Sequence, residues 1–323
     1  MNNLNNLTVM CAFVAQHATH VSINDEAVHN LAHKLHDIPQ KNWLSSAPYS
    51  LDNLKQCEKL HFILVFDAIS FSYWSEPKWT IEYNGNSLDG SWGLQACIGR
   101  ALEEGFPLLD MNYLSSITPR DFAYITRANT TIPLLEERVN NLRNIGTLLR
   151  TKYDSQFRYF IENCSNALDL VQKMSNEFSS FADIRHYRGK QISFCKRAQC
   201  VVGDIAQNDQ HIKLQGFDQL TACSDYKLPQ LLRHNQALNY SPSLTEIVDD
   251  KKEITAGSEY EVEIRGCTIE CIRRLTKYMN ETSVVPPASS PIHCREINDM
   301  IWLLSQEKIE GIKPYHRTRT TSY

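Results

Sequence analysis

One segment constrains the fold of this 323-residue chain more than any other. Between residues 135 and 149, apolar side chains recur every three or four positions, the spacing that puts them on one face of an α-helix: Leu135, Val139, Leu142, Ile145 and Leu149. A helix with one apolar stripe is stable only when other elements cover that stripe. The segment therefore predicts a globular protein in which helices pack on one another.

The same kind of spacing predicts several further helices. It occurs in residues 9–35, 94–102, 157–181, 262–275 and 297–302. Gly105 and Pro107 end the second of these, and Ser258 forms a capping box with Glu261 before the fourth. No internal repeat is present in the sequence. We therefore predict a mainly α protein that forms a single domain over residues 1–323.

One stretch has a β pattern. Residues 79–83 alternate between apolar and polar side chains and then meet the turn sequence Asn84-Gly85-Asn86, which predicts a small β-hairpin. The apolar run of residues 61–67 fits a buried strand or a buried helix, because periodicity does not separate the two. Residues 284–291, which are rich in Pro and Ser, predict a loop.

Net charge and hydropathy narrow the range of partners. The formal net charge is −4 and Lys and Arg form no dense block, which argues against a nucleic-acid partner. No stretch approaches the roughly 20 apolar residues that cross a bilayer, and the N-terminal residues lack the features of a targeting signal. We expect a monomeric cytosolic protein that acts on a small molecule.

The cysteines and histidines do not suggest a metal site. The ten cysteines include no C-x-x-C pair, so buried thiols in a reducing compartment are the simpler interpretation. The five histidines between residues 17 and 36 lack the carboxylates and the spacing of a zinc-binding helix. We expect no metal and no other cofactor.

Asp225 is the carboxylate whose position suggests a function. It lies in a short polar segment one turn ahead of an apolar helical run, and Pro229 suits the first turn of that helix. Many enzymes present a carboxylate to substrate from a loop backed by a helix. The same position is also typical of a residue that only caps the helix. The residues alone leave both interpretations open.

Two other groups of side chains have open interpretations. Lys196 and Arg197 are adjacent in apolar surroundings, where they form either a structural ion pair or a site for a phosphate or carboxylate. The aromatic side chains of Phe71, Tyr73 and Trp74 belong either to the core or to a surface on which a ring stacks.

Several segments, taken in order, resemble the queuosine salvage protein family. They span nearly the whole chain, and no single one is diagnostic. The matching stretches are residues 71–76 (FSYWSE), 88–92 (LDGSW), 100–105 (RALEEG), 132–138 (IPLLEER), 196–199 (KRAQ), 224–230 (SDYKLPQ), 261–266 (EVEIRG) and 316–319 (HRTR).

The resemblance implies a helical fold related to helix-hairpin-helix DNA glycosylases. It implies hydrolysis of the N-glycosidic bond of queuosine 5′-monophosphate, which frees queuine for reuse in tRNA modification. The family's catalytic Asp, in its F-A-D-Y-[KR] motif, falls on Asp225. The resemblance implies that this carboxylate stabilises the oxocarbenium-like carbon of the ribose or adds to it covalently. Cys223 and Ser224 replace the Phe and Ala of that motif, and Tyr226 matches it. These three neighbours are expected to line the substrate site.

The resemblance also suggests residues for the remaining parts of the substrate. The family has an Asp four residues before a Trp near the C-terminus, where this chain has Asn298, with Asp299 beside it. Asp299, or alternatively Asn298, is the expected partner of the cationic amine of queuine. Lys196, then Arg197, and then the tail residues His316 and Arg317 are expected at the 5′-phosphate. Further expected contacts are Phe71 and Trp74 at the base. A family histidine in the early loop has no counterpart after Trp43.

Other functions fit the same residues. One alternative is a protein that binds queuine or its nucleotide without turnover, and the exchanges at Cys223 and Ser224 are compatible with it. A generic purine nucleosidase is an alternative within the same class of enzyme. A nucleic-acid glycosylase is disfavoured because the net charge is acidic and no basic stripe is present.

Overall fold

The computed structural model describes residues 7–209, 211–281 and 291–323. Helices dominate these residues, so the prediction of a mainly α protein is confirmed, whereas its relation to helix-hairpin-helix glycosylases stays a prediction. The helices are α1 (Leu7–His17), α2 (Asp25–His36), α3 (Gln56–Ala68), α4 (Gly90–Glu103), α5 (Met111–Leu114), α6 (Pro119–Thr126), α7 (Leu135–Lys152), α8 (Phe157–Glu162), α9 (Ala167–Glu177), α10 (Lys196–Asn208), α11 (Lys227–His234), α12 (Pro242–Asp249), α13 (Glu259–Glu281) and α14 (Cys294–Leu304).

The β structure consists of short antiparallel pairs. Strands β2 (Thr80–Tyr83) and β3 (Asn86–Asp89) form the predicted hairpin. A second hairpin joins β4 (Ile184–Tyr187) to β5 (Lys190–Ser193), and β1 (Val21–Ile23) pairs with the distant β6 (Leu238–Tyr240). The prediction of one small β element was therefore incomplete, because strands of three or four residues are too short for alternation to identify them.

Two local predictions have definite outcomes. Residues 61–67 belong to α3, a helix that is buried on every side from Leu60 to Ala68, which explains why its sequence has no polar face. The single helix expected over residues 157–181 is wrong. Two helices occupy most of this segment, since the Asn166 side chain accepts a hydrogen bond from the backbone N–H of Asp169 and starts α9. The loop predicted at residues 284–291 lies, apart from Pro291, outside the described residues.

The chain divides into two compact units. The first comprises Met1–Trp43, Asp183–Lys196 and Gly216–Arg319, and the second comprises Leu44–Ala182, Arg197–Gln215 and Thr320–Tyr323. The single-domain assignment stays a prediction.

In the first unit the long helix α13 lies against α1, α2, α11 and α14. The approach to α1 is close, because a Cβ atom added to Gly266 would lie 2.7 Å from a methyl group of Val14. Apolar side chains from α2, α11, α13 and α14 form one continuous core in this unit. That core holds α11 and α14 side by side. These two helices flank Asp225 in space.

In the second unit α7 packs against α3, α5 and α6, which cover the apolar stripe that its sequence predicts. Gly146 of α7 lies so close to α5 that an added Cβ atom would be 2.6 Å from the backbone N of Ser115. Among the helices of the described residues, none is long and apolar enough to cross a membrane.

Candidate active site

Asp225 caps helix α11. Its Oδ1 atom accepts hydrogen bonds from the backbone N–H groups of Lys227, at 2.8 Å, and Leu228, at 3.0 Å. Pro229 stands in the first turn, where its missing N–H costs no helical hydrogen bond. The side chain is half-buried, and no described residue donates a hydrogen bond to Oδ2. The cap thus uses one carboxylate oxygen and leaves the other available.

The segment around Asp225 is attached to α14 and to the residues that follow it. The backbone N–H of Cys223 donates to Asn298 Oδ1 at 2.9 Å. Lys227 Nζ lies 3.4 Å from the carbonyl oxygen of Ser305, at the end of α14. The ring of Tyr226 packs on that of Tyr315, with centroids 4.6 Å apart. All these contacts lie within the first unit, so the carboxylate has a rigid support.

Asn298 and Asp299 belong to a buried polar cluster with Arg295. The guanidinium of Arg295 donates to Asp299 Oδ1, and Asn298 Nδ2 lies 3.2 Å from the same oxygen. Burial raises the pKa of the Asp299 carboxyl, although Arg295 and Asn298 act in the opposite direction. The structure therefore brings Asn298 to the Asp225 segment, through Cys223. Arg295 was missed in the sequence, although its spacing of four residues from Asp299 is a signal for an ion pair on a helix.

Ser224 and Cys223 are both buried beside Asp225. The Ser224 hydroxyl has no hydrogen-bond partner among the described residues. A buried hydroxyl without a partner costs free energy, about 1–3 kcal/mol, unless a water or a ligand satisfies it. The segment thus carries two polar atoms, Ser224 Oγ and Asp225 Oδ2, that can bind a molecule from outside the chain.

Lys196 is the first residue of α10 and the last residue of the first unit. Its backbone N–H lies 3.3 Å from Asp183 Oδ2, and Asp183 in turn binds the guanidinium of Arg265. Arg265 and Glu261 are fully buried, and Arg185 lies 3.1 Å from Glu261. Local spacing within α13 does not reveal that Asp183 and Arg185, more than 70 residues earlier in the chain, are the partners of Arg265 and Glu261.

Arg197 is described within the second unit. Its guanidinium donates to the main-chain carbonyl oxygens of Asp67 at 3.2 Å, Ala68 at 2.6 Å and Ser180. These bonds hold α3 and the segment after α9 together, which is a structural role that the sequence did not indicate. Anion binding by Arg197 stays a prediction.

The aromatic candidates lie in the second unit. The ring of Phe71 is fully buried, with the guanidinium carbons of Arg138 and Arg197 at 4.3 and 5.1 Å from its centroid. These neighbours fit the interpretation of Phe71 as a core residue. Trp74 is also buried but retains 7 % of its surface, and stacking on a base stays a prediction for both rings.

Comparison with known proteins identifies relatives over nearly the whole chain. The family model described as queuosine salvage protein matches residues 51–323. A queuosine 5′-phosphate N-glycosylase/hydrolase of Sphaerobacter thermophilus is 40 % identical over 267 residues, which is 81 % of each chain. Proteins with the same name from Mus musculus and Dictyostelium discoideum are each 29 % identical, over 96 % and 100 % of both chains respectively.

Proposed function

This chain belongs to the queuosine salvage protein family, and on that premise we propose that it hydrolyses the N-glycosidic bond of queuosine 5′-phosphate and releases queuine. We propose Asp225 as its catalytic carboxylate. The observation that supports this role is the difference between the two oxygens of Asp225. Oδ1 caps α11, whereas Oδ2 has no partner among the described residues.

The reaction requires a negative group beneath the sugar. Breaking the bond between C1′ and the base nitrogen develops positive charge over C1′ and O4′ of the ribose. Water adds its oxygen to C1′, and the base leaves with the bonding electron pair and gains a proton. An ionised carboxylate next to C1′ stabilises this charge or forms a transient bond to C1′. Asp225 fits either route.

The setting of Asp225 suits a fixed negative charge. The two N–H groups that its Oδ1 accepts from belong to the first turn of α11, where the helix dipole places partial positive charge. Because Oδ1 is held by these bonds, the direction of Oδ2 is fixed before substrate arrives. Preorganised groups of this kind contribute to catalysis because they need not reorient during the reaction.

The remaining roles in this proposal follow the chemistry of the substrate. Ser224 Oγ, buried and without a partner among the described residues, is a candidate donor or acceptor for a ribose hydroxyl. Cys223 and Tyr226, which flank Ser224 and Asp225 in sequence, are further candidates for contact with substrate. Lys196 is the first candidate for the 5′-phosphate and Arg197 the second. Trp74 is the first candidate for stacking on the base, and Phe71 is the second. Asp299 or Asn298 is the candidate partner of the amine.

Incubation of the purified protein with queuosine 5′-phosphate, and separately with queuosine, tests the proposal. We expect free queuine to appear with time, and Asp225→Ala to abolish its release while the fold is retained. Queuine binding by calorimetry without any turnover would instead identify a binding protein. Turnover of guanosine 5′-phosphate at a comparable rate would indicate a general purine nucleosidase.

A further inference from the structure

We propose that Asn298 is a positioning residue for Asp225, and that the buried pair of Arg295 and Asp299 fixes the orientation of the Asn298 amide. This inference rests on the proposed function, because it takes Asp225 as the catalytic carboxylate. It gives Asn298 a different role from contact with the amine of the substrate. The evidence is a continuous chain of hydrogen bonds from α14 to the residue two positions before Asp225.

The first step is the attachment of the segment before Asp225. The backbone N–H of Cys223 donates to Asn298 Oδ1 at 2.9 Å, and this bond is buried. On the other side, the bonds from Lys227 and Leu228 attach Asp225 itself to the start of α11. The carboxylate is thus held from both directions along the chain. Loss of the Asn298 bond frees only the upstream side.

The second step is the orientation of the amide. Asn298 must direct its oxygen at the N–H of Cys223, and its Nδ2 group then donates to Asp299 Oδ1 at 3.2 Å. If the amide were rotated by half a turn, its N–H would face the N–H of Cys223 and its oxygen would face the carboxylate. Both contacts would be repulsive. Asp299 therefore selects the orientation that Cys223 needs.

The third step is the support of Asp299. A carboxylate buried to this degree requires a compensating charge, and Arg295 provides it one helical turn earlier on α14. Arg295, Asn298 and Asp299 lie at positions i, i+3 and i+4, on one side of a single helix. The hydrogen bonds among these three side chains restrict their rotation about the helix that carries them.

The experiment compares kinetics with binding. For Asn298→Ala we expect kcat on queuosine 5′-phosphate to fall about 10- to 100-fold, the effect typical of a misplaced reacting group. We expect KM, and the Kd of queuine measured by calorimetry, to remain within about twofold of wild type, because this inference leaves contact with the amine to Asp299, which the variant retains. Asn298→Ser, whose hydroxyl is too short to bridge Cys223 and Asp299, should behave in the same way and provides a second variant if the alanine protein does not fold.

Asn280→Ala is the matched control. The side chain of Asn280 also fastens backbone in the first unit, since it exchanges two hydrogen bonds with the N–H and carbonyl of Ile292, at 3.0 and 2.9 Å. Its loss should lower the thermal midpoint and leave kcat and KM as in wild type. A purely structural role of Asn298 would make the two variants alike in kinetics, which would overturn the inference.

Two further outcomes separate this inference from the proposed function. A rise in KM and in the Kd of queuine at unchanged kcat, in either Asn298 variant, would show that Asn298 touches substrate and would overturn the positioning role alone. Absence of queuine release by the wild-type protein, or full turnover by Asp225→Ala, would instead overturn the proposed function.

Discussion

The Oδ1 atom of Asp225 lies 3.0 Å from the backbone N of Leu228, so the carboxylate that we propose for catalysis is also the N-terminal cap of α11. The sequence allowed a cap or a catalytic group as alternatives. The structure makes them compatible, because capping occupies one oxygen and leaves the other for substrate. This double use also means that a simple deletion of the side chain changes stability and chemistry together.

Asp225→Asn separates the two roles. Asn caps helices about as well as Asp does, so we expect the free energy of unfolding to stay within a few tenths of a kcal/mol of wild type. Since the amide carries no negative charge, kcat should fall by about a hundred- to a thousandfold or more. Asp225→Ala should lose the rate and also about 1 kcal/mol of stability. Urea unfolding and queuine release measured on the same preparations check both, and an Asn variant with near wild-type kcat would contradict the assignment.

Lys196→Gln tests phosphate recognition. A hydrogen bond to a charged group contributes about 1.5–3 kcal/mol, so KM for queuosine 5′-phosphate should rise about 10- to 100-fold. KM for queuosine, which has no phosphate, should be unchanged. The control is Lys190→Gln, on the exposed part of strand β5, which should alter neither value. Equal effects of Lys196→Gln on nucleotide and nucleoside would contradict a phosphate contact.

Ser224→Ala restores the alanine typical of the family. Because the Ser224 hydroxyl is buried without a partner among the described residues, its removal should raise the free energy of unfolding of the ligand-free protein by about 1 kcal/mol. If substrate satisfies that hydroxyl, KM should rise as stability increases. Chemical unfolding and steady-state kinetics measure the two effects. A stabilised variant with unchanged KM would mean that the hydroxyl has no substrate contact.

Much of the fold follows from local spacing, and each exception has an identifiable cause. The stripe from Leu135 to Leu149 and the capping box before α13 both predict helices that the structure contains. The division between α8 and α9 depends on one cap, Asn166, inside a pattern that otherwise continues. The pairing of β1 with β6 joins segments more than 200 residues apart, and three-residue strands carry no pattern that identifies such a partner.

The residue types of the candidate site are evident in the sequence, but the hydrogen-bond partners of those residues are not. The position of Asp225 ahead of a helix was sufficient to identify it as a candidate. The sequence could not show that Asn298 uses its oxygen on Cys223, 75 residues away, because a side-chain amide serves protein and ligand equally well. Similarly, the bonds from Arg197 to carbonyl oxygens depend on where the chain passes, which charge patterns do not reveal.

His316, in the tail that the resemblance to the family includes, is fully buried. Burial, assisted by the nearby positive charge of Arg265, lowers the pKa of His316 from 6.5 to about 3. A neutral imidazole at physiological pH cannot supply positive charge to a phosphate, so its influence is expected on stability instead.

Acidification should therefore destabilise the protein through His316. The unfolded chain takes up this proton below about pH 6.5 and the folded chain does not, so stability is complete above that pH and declines as the pH falls towards 3. Between pH 7 and pH 5 the decline attributable to His316 is about 2 kcal/mol, at about 1.4 kcal/mol per pH unit below 6.5. Urea unfolding of His316→Gln at both pH values should show a correspondingly smaller loss than wild type, whereas His234→Gln, at an exposed position of α11, should match wild type. Equal losses in wild type and His316→Gln would show that His316 becomes protonated in the folded protein.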